Sequence, residues 1–334
     1  MRAVVIARPG GPEVLEIRDV PRPEPGPEEV LVRVHASGLN RADLLQRRGS
    51  YPAPAGWPAD IPGLEFAGQV AACGERARAW QPGARVFGLV GGGAQAEFIT
   101  TYERAVAEIP QKLSWSEAAA IPEVFLTAHD ALWVQAALRP GERVLIHAVG
   151  SAVGLAAVQL VRAIRAVPYG ISRTAGKIDR AREYGLEAGA VINDPVAELP
   201  ACTRAWTHDQ GFDVVLDLTG GPYVRAAIEA LAPKGRLMLV GTVAGAKAEI
   251  PIGMAMGKRL TIRGTVMRAR PLEERIATIR KFAAEVLLLF EQGQLRSVID
   301  SEFSLEEIRA AHQRLESNET FGKVVITIAP GTRP

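Results

Sequence analysis

Ile146-His147-Ala148-Val149-Gly150-Ser151-Ala152-Val153-Gly154 is the stretch whose reading decides the fold of this chain. Ahead of it, residues 143–148 form a short apolar run of the length expected for a buried parallel strand. Behind it, residues 152–165 are rich in Ala, Leu and Val and read as a helix. A strand that turns straight into a helix leaves the first backbone N–H groups of that helix without carbonyl partners. The aligned peptide dipoles add partial positive charge at the same place, so such a turn can hold a phosphate. A literal G-x-G-x-x-G would need glycines at 149, 151 and 154, and only Gly154 is present. Small residues still fill the tight places. Gly150 is expected to turn the chain, and Ser151, Ala152 and Val153 to offer backbone N–H groups to a pyrophosphate. Gly154 is expected to let the helix pack closely on the strand. Alone, the turn is a weak signal, with an ordinary strand-to-helix turn as the competing reading.

The surroundings add weight. Strand-like runs at 167–171, 190–193, 212–218, 236–241 and 260–265 alternate with helical segments such as 175–184. Alternation of this kind over about 120 residues predicts a doubly wound parallel sheet. Before about residue 120 the texture differs, with short strands such as Val4-Val5-Ile6, Glu29-Val30-Leu31-Val32-Arg33-Val34 and Arg85-Val86-Phe87-Gly88-Leu89-Val90 punctuated by Pro and Gly. That spacing predicts a compact β-barrel or sandwich. Near the end, a helix over 271–292 places Ile276, Ile279, Phe282, Val286 and Leu289 on one face. A second helix, 304–316, leads to a strand at 324–328, which is expected to return to the N-terminal β domain. The expected organisation is α/β, with a β domain in two pieces, 1–121 and 266–334, around a dinucleotide-binding domain, 122–265.

Composition narrows the function classes. The 334 residues carry a formal net charge of +2, so nothing points to a nucleic-acid or membrane surface, and a small-molecule partner is expected. Cys73 and Cys202 are isolated, which argues against a disulfide framework or a Cys-rich zinc site. The first apolar run stops at Arg8-Pro9-Gly10-Gly11, too short for a signal peptide, and the run at 286–290 is far short of a membrane span. A cytoplasmic protein is expected.

The second strand of the dinucleotide unit bears on cofactor choice. NAD sites place an acid at its end, about 20 residues beyond the turn, to hold the ribose hydroxyls. Tyr169-Gly170-Ile171-Ser172-Arg173-Thr174 has none. Ser172, Arg173 and Lys177 stand instead where a 2′-phosphate would lie, which predicts NADPH. The competing reading makes Lys177 a solvated helix residue.

Several motifs then match a known family. Ser37-Gly38-Leu39-Asn40-Arg41-Ala42-Asp43, Gly49-Ser50-Tyr51 and Ile61-Pro62-Gly63-Leu64-Glu65-Phe66-Ala67-Gly68 are the first three. Ala119-Ala120-Ile121-Pro122-Glu123, Leu126-Thr127-Ala128 and Gly322-Lys323-Val324-Val325 follow. Across essentially its whole length the chain resembles the zinc-independent, zeta-crystallin-like quinone oxidoreductases of the medium-chain dehydrogenase/reductase superfamily. Residues 121–123 and 40–51 look closest to the stress-inducible NADPH:quinone oxidoreductase branch. The resemblance implies a GroES-like β-barrel catalytic domain beside a Rossmann domain.

It also implies roles. Zinc-dependent relatives place a catalytic Cys where Asn40 stands and a His–Glu pair where Leu64-Glu65 stand, and Glu65 with Asp43 cannot supply a tetrahedral N/S set. Asn40 and Tyr51 are implied to line the substrate pocket, Tyr51 as hydrogen-bond or proton donor and Asn40 as an orienting group. Packing of a loop by Tyr51 and satisfaction of a helix start by Asn40 are the plain alternatives. Asp43 reads as structural, and His129 and His147 as packed or surface histidines. Thr127 is implied near the nicotinamide ribose, and the backbone at Val266 and Met267 near the carboxamide. Thr219, Gly241 and Thr242 lie after strand ends, where ligands bind in open α/β sheets, and Lys323 is implied to approach the cofactor. Two departures weaken the NADPH pattern. Ala152 stands where Gly is usual, and Asp194 where many relatives have a Tyr against the 2′-phosphate. The implied activity is hydride transfer from NADPH to a quinone. The alternatives are an NADPH-dependent enoyl or enone reductase, or an NADPH-binding structural or regulatory protein with little turnover. The short apolar run at 260–264 predicts an edge strand and a homodimer.

Overall fold

The computed structural model describes residues 1–328, so 329–334 of the expected returning segment lie outside the described residues. The chain divides into two compact units, Met1–Leu126 with the segment from Met267 onward, and Thr127–Val266. The first division falls inside the helix Pro122–His129, a few residues beyond the expected boundary.

The second unit is built on a six-stranded sheet. Its order is Ala188–Val191, Val167–Ser172, Arg143–Ile146, Phe212–Asp217, Leu231–Leu239, Thr261–Gly264, every neighbour parallel. Chain order therefore reverses at Arg143–Ile146, the topology of a doubly wound dinucleotide fold with its switch point at the first strand. The two central strands explain their own sequence. Val144, Leu145, Ile146, Val214, Val215 and Leu216 are all fully buried, because helices cover both faces of the sheet. The helix Ala152–Ala163 contributes Leu155, Val158 and Leu160 to that cover.

The first unit holds a seven-stranded sheet. Its path runs Ile299–Ser304, Lys323–Thr327, Glu29–Leu39, Glu65–Cys73, Arg85–Leu89, Val106–Glu108, with Phe98–Tyr102 paired beside Glu29–Leu39. Arg33 is exposed between the buried Val32 and Val34, whereas Leu31 is buried like its neighbours, so only part of this strand has a wet face. The strand Lys323–Thr327 lies antiparallel to Glu29–Leu39 with Val325 opposite Gly38. The C-terminal segment thus rejoins the N-terminal sheet, as its sequence position suggests. The strand Ile299–Ser304 has no counterpart in the sequence reading, because only two of its six residues are apolar.

The helix Leu272–Glu291 buries Ile276, Ile279, Phe282, Val286 and Phe290. Phe290 replaces the expected Leu289 on that face. Its larger ring packs edge-on against Phe125, with centroids 4.8 Å apart.

Candidate functional site

The turn after Arg143–Ile146 corrects the sequence reading in one respect. The residue that takes the left-handed conformation is Ala148, with φ 49°, and not Gly150. A non-glycine residue there costs roughly 1–2 kcal/mol. Gly150 is needed for a different reason, since a Cβ on it would lie 2.8 Å from the aliphatic stem of Lys177. That stem crosses the turn. Gly154 has no such latitude, because its Cβ would lie 2.7 Å from the carbonyl oxygens of Ala148 and Val149. Backbone cannot swing aside as a side chain can. Gly154→Ala is therefore expected to destabilise the protein by about 1–3 kcal/mol, measurable as a lower calorimetric Tm, whereas an unchanged Tm would refute the close approach.

Ser151 caps the helix Ala152–Ala163, its hydroxyl accepting from Gly154 N–H at 3.1 Å. The N–H groups of Ala152 and Val153 precede any carbonyl that could serve them within the helix, so they are the donors available to an anion. Around this turn, His147 is fully buried, and its Nδ1 lies 3.0 Å from Asp217 Oδ1. The same oxygen accepts from Thr219 N–H at 2.8 Å, the Thr219 hydroxyl at 2.6 Å and Gly220 N–H at 3.0 Å. Burial alone would raise the Asp217 carboxyl, but the hydrogen bonds from His147, Thr219 and Gly220 outweigh it and hold the group at about 2. His147 is thus a packed histidine. The Thr219 hydroxyl and N–H are both spent bracing its own loop.

That loop interlocks with the one after Leu231–Leu239. Ala244 N–H donates to Thr219 O at 2.7 Å, and Gly221 N–H to Gly245 O at 3.0 Å. A Cβ at Gly241 would lie 2.3 Å from Leu218 O, which explains the glycine. Thr242 and Val266 are exposed, and Met267 is buried. Ser172 closes its strand by accepting from Thr174 N–H at 3.3 Å, and Arg173 beside it is exposed. Asp194 caps the helix Pro195–Thr207, its Oδ1 accepting from Val196 and Ala197 N–H at 3.1 and 3.2 Å. Its charge therefore faces a helix N-terminus that favours it. Thr127 is only 5% exposed, and its hydroxyl has no hydrogen-bond partner. Buried hydroxyls seldom go unpaired, so this one is suited to a ligand.

The first unit gathers Asn40, Asp43, Tyr51, Glu65, Glu123, Arg268 and Lys323. Asp43, in the helix Arg41–Arg47, accepts from Asn40 N–H at 2.8 Å and Gly63 N–H at 2.9 Å. It is structural, and burial pushes its carboxyl up to about 6 despite those bonds. The Asn40 amide donates to Glu65 Oε1 at 2.8 Å and Gly38 O at 3.3 Å, and its Oδ1 accepts from Lys323 Nζ at 2.5 Å. Lys323 also forms an ion pair with Glu65, and both side chains are almost wholly buried. Gly38 makes room for that pair, since a Cβ there would lie 2.6 Å from Lys323 Cε. Glu65 Oε2 accepts from Glu123 N–H at 2.7 Å. Burial and the neighbouring Glu65 charge push the Glu123 carboxyl up to about 7.

Two expectations change as a result. Lys323, assigned to the cofactor, has its ammonium engaged by Asn40 and Glu65. Asn40, assigned to orient an acceptor, has its amide hydrogens and oxygen already used inside the cluster. Tyr51 is half-buried, and the Arg268 guanidinium lies 5.0 Å from its ring centroid. Burial raises the Tyr51 phenol, and Arg268 opposes that shift. Sequence reasoning missed the Glu65–Lys323 pair, Glu123 and Arg268. Charges inside the apolar runs 64–67 and 323–327 were the available signal for the first, and nothing flagged Arg268.

The comparisons with known proteins accord with this geometry. Residues 26–111 match the alcohol dehydrogenase GroES-like domain, and residues 186–326 match the zinc-binding dehydrogenase family. A quinone oxidoreductase from Lama guanicoe is 33% identical, with 98% of each chain covered. The chain belongs to the medium-chain dehydrogenase/reductase superfamily. It is also 35% identical to a segment of the pikromycin polyketide synthase component PikAII from Streptomyces venezuelae, over 98% of this chain. It spans only 8% of that relative's length. A mycobacterial protein solved in complex with NADPH superposes with a TM-score of 0.88 at 27% identity, covering 98% of this chain and 99% of that one. The first unit is thus the GroES-like domain of this superfamily, and the second its Rossmann domain.

Membership raises the question of zinc. The residues at the corresponding place are Asn40, Leu64 and Glu65, so the donors reduce to an amide and a carboxylate, and the carboxylate is already paired with Lys323. Among the described residues no three His, Cys, Asp or Glu side chains converge closely enough to hold a metal ion. These residues do not fit a zinc ion, which needs thiolate or imidazole ligands in tetrahedral array. A pyridine dinucleotide fits better. The unpartnered Thr127 hydroxyl and the first N–H groups of the helix Ala152–Ala163 are features that such a ligand would complete.

Proposed function

We propose that this protein is an NADPH-dependent quinone reductase. The observation that carries the reading is the buried Glu65–Lys323–Asn40 cluster standing where zinc-dependent relatives hold their ligands. Without a Lewis acid in that place, an acceptor must be reactive on its own. Quinones qualify, because they delocalise the incoming electron pair.

The N–H groups of Ala152 and Val153 would hold the pyrophosphate, Thr127 a ribose hydroxyl, and Arg173 with Lys177 the 2′-phosphate. The Val266–Met267 backbone would meet the carboxamide. Bound NADPH supplies a hydride from C4 of its nicotinamide. The chain's own work is placement, exclusion of water and supply of a proton from the Tyr51 hydroxyl. A second reading, reduction of enones or enoyl thioesters, is favoured by that same half-buried phenol, since a reduced enone needs a proton more than a quinol anion does.

Stopped-flow oxidation of bound NADPH by a panel of quinones, enals and enoyl thioesters tests this directly. Fast oxidation by quinones is expected. Preference for enals or thioesters would give the second reading, and tight binding without oxidation by any acceptor would make the chain a binding protein.

We further propose a homodimer. Thr261–Gly264 is an edge strand exposed along its length, and Val243, Ile252 and Met256 in the preceding segment are exposed apolar residues. Light scattering at micromolar concentration is expected to give twice the chain mass, and a single-chain mass would remove the proposal. No helix among the described residues is long and apolar enough to cross a membrane.

A further inference from the structure

Arg268 is an unusual residue for its surroundings, a guanidinium only 5% exposed. Its nitrogens reach three separate segments. Nε donates to Gly91 O at 2.8 Å, Nη1 to Tyr51 O at 3.0 Å and Nη2 to Gln46 Oε1 at 2.5 Å. Gln46 is itself anchored, its amide donating to Ala59 O at 3.0 Å. Those three partners are all neutral. A buried charge so held keeps much of its desolvation cost, which packing alone does not explain. Its flat face compensates in part, since Cζ lies 5.0 Å from the Tyr51 ring centroid, within cation–π range.

We propose that Arg268 is a positioning residue for Tyr51, fixing the orientation of its ring and setting a permanent positive charge against it. The inference rests on the reading of Tyr51 as proton donor. Holding Tyr51 by its backbone carbonyl and its ring together limits both the loop and the side-chain torsion. In the step concerned, the Tyr51 O–H bond breaks and an O–H bond forms on the acceptor as it takes hydride from NADPH. The phenolate left behind is stabilised by the adjacent guanidinium and regains its proton from water. Burial and the Glu123 charge raise the phenol, while Arg268 alone lowers it. The other charged groups bearing on Arg268 are Asp43 and Glu123.

The test combines titration with kinetics. Carbon NMR of Cζ-labelled tyrosine, assigned with Tyr51→Phe, follows the Tyr51 phenol in the cofactor-free protein. Arg268→Gln is expected to move that titration to higher pH and to lower kcat about tenfold or more, with NADPH Kd unchanged. Arg268→Lys, which keeps the charge but loses the fork, should restore the titration and only part of kcat. In a Tyr51→Phe background Arg268→Gln should cost no further kcat, because two residues acting through one step are not additive. An unmoved titration in Arg268→Gln, or an equal loss of kcat in the Tyr51→Phe background, overturns the proposal. Should Arg268→Gln fail to fold, the proposal stands or falls on Arg268→Lys, which must titrate as the parent does. Because the titration needs no turnover, failure of the reductase reading would appear separately, as absent NADPH oxidation.

Discussion

Replacing Tyr51 with Phe is expected to lower kcat by about 10²-fold toward an enone, and by less toward a quinone, with NADPH Kd unchanged. The difference between acceptors follows from where charge goes. A quinone that has taken hydride becomes a delocalised aryloxide, which water can protonate at leisure. An enone becomes an enolate, and a donor held beside the oxygen lowers the barrier as that charge develops. Phe preserves the ring against the Arg268 guanidinium, 5.0 Å from the centroid, and leaves the carbonyl of residue 51 free to accept from Arg268 as before. The substitution therefore removes a hydroxyl and little else. A purely packing role for Tyr51 predicts unchanged rates with both acceptors, and single-turnover rates measured in H2O and D2O would decide it. Loss of kcat together with loss of the solvent isotope effect is the expected pair of results.

The balance between what the sequence disclosed and what it concealed has a physical basis. The parallel strands were legible because both faces are buried, which makes their centres, 144–146 and 214–216, wholly apolar. The returning strand Lys323–Thr327 was legible for the same reason. Ile299–Ser304 was not, since an edge strand with intermediate burial tolerates Asp, Ser and Glu and shows no period. At the turn after Arg143–Ile146, the left-handed position that the sequence suggests for Gly150 belongs to Ala148. Small side chains are required both where the backbone is left-handed and where another group crosses, and sequence does not distinguish the two. Ala148 turns out to bear the strain, and Gly150 gives passage to Lys177. Contacts between distant positions were the least legible of all. Asn40 looked free to meet a substrate because nothing nearby in sequence announces that Lys323 will take its oxygen. Nothing near Arg268 in sequence announces its contacts with Gln46, Tyr51 and Gly91 either.

Cofactor selection gives the other large effect. Lys177→Ala is expected to lower kcat/KM for NADPH about 10- to 100-fold while leaving NADH nearly unchanged. The magnitude follows from the loss of a hydrogen bond to a charged group, about 1.5–3 kcal/mol, at about 1.4 kcal/mol per factor of ten. The stem of Lys177 lies against Gly150, which commits its ammonium to the neighbourhood of the turn, whereas Arg173 is exposed and reaches from the strand end with more freedom. Arg173→Ala should accordingly cost less than Lys177→Ala, and its effect should fade further with salt, since exposed charges are screened within roughly 10 Å at 0.1 M. The charge of Asp194 opposes neither cation directly, because its carboxylate is held by the N–H groups of Val196 and Ala197. Asp194→Asn keeps a capping oxygen and should change the NADPH to NADH ratio by only a few-fold. Steady-state kinetics with both cofactors at one saturating acceptor concentration measure all three. Equal losses for NADPH and NADH in Lys177→Ala would mean that the lysine shapes the turn without reading the 2′-phosphate, and the preference would then have to reside in Ser172 and the missing acid at the end of Val167–Ser172.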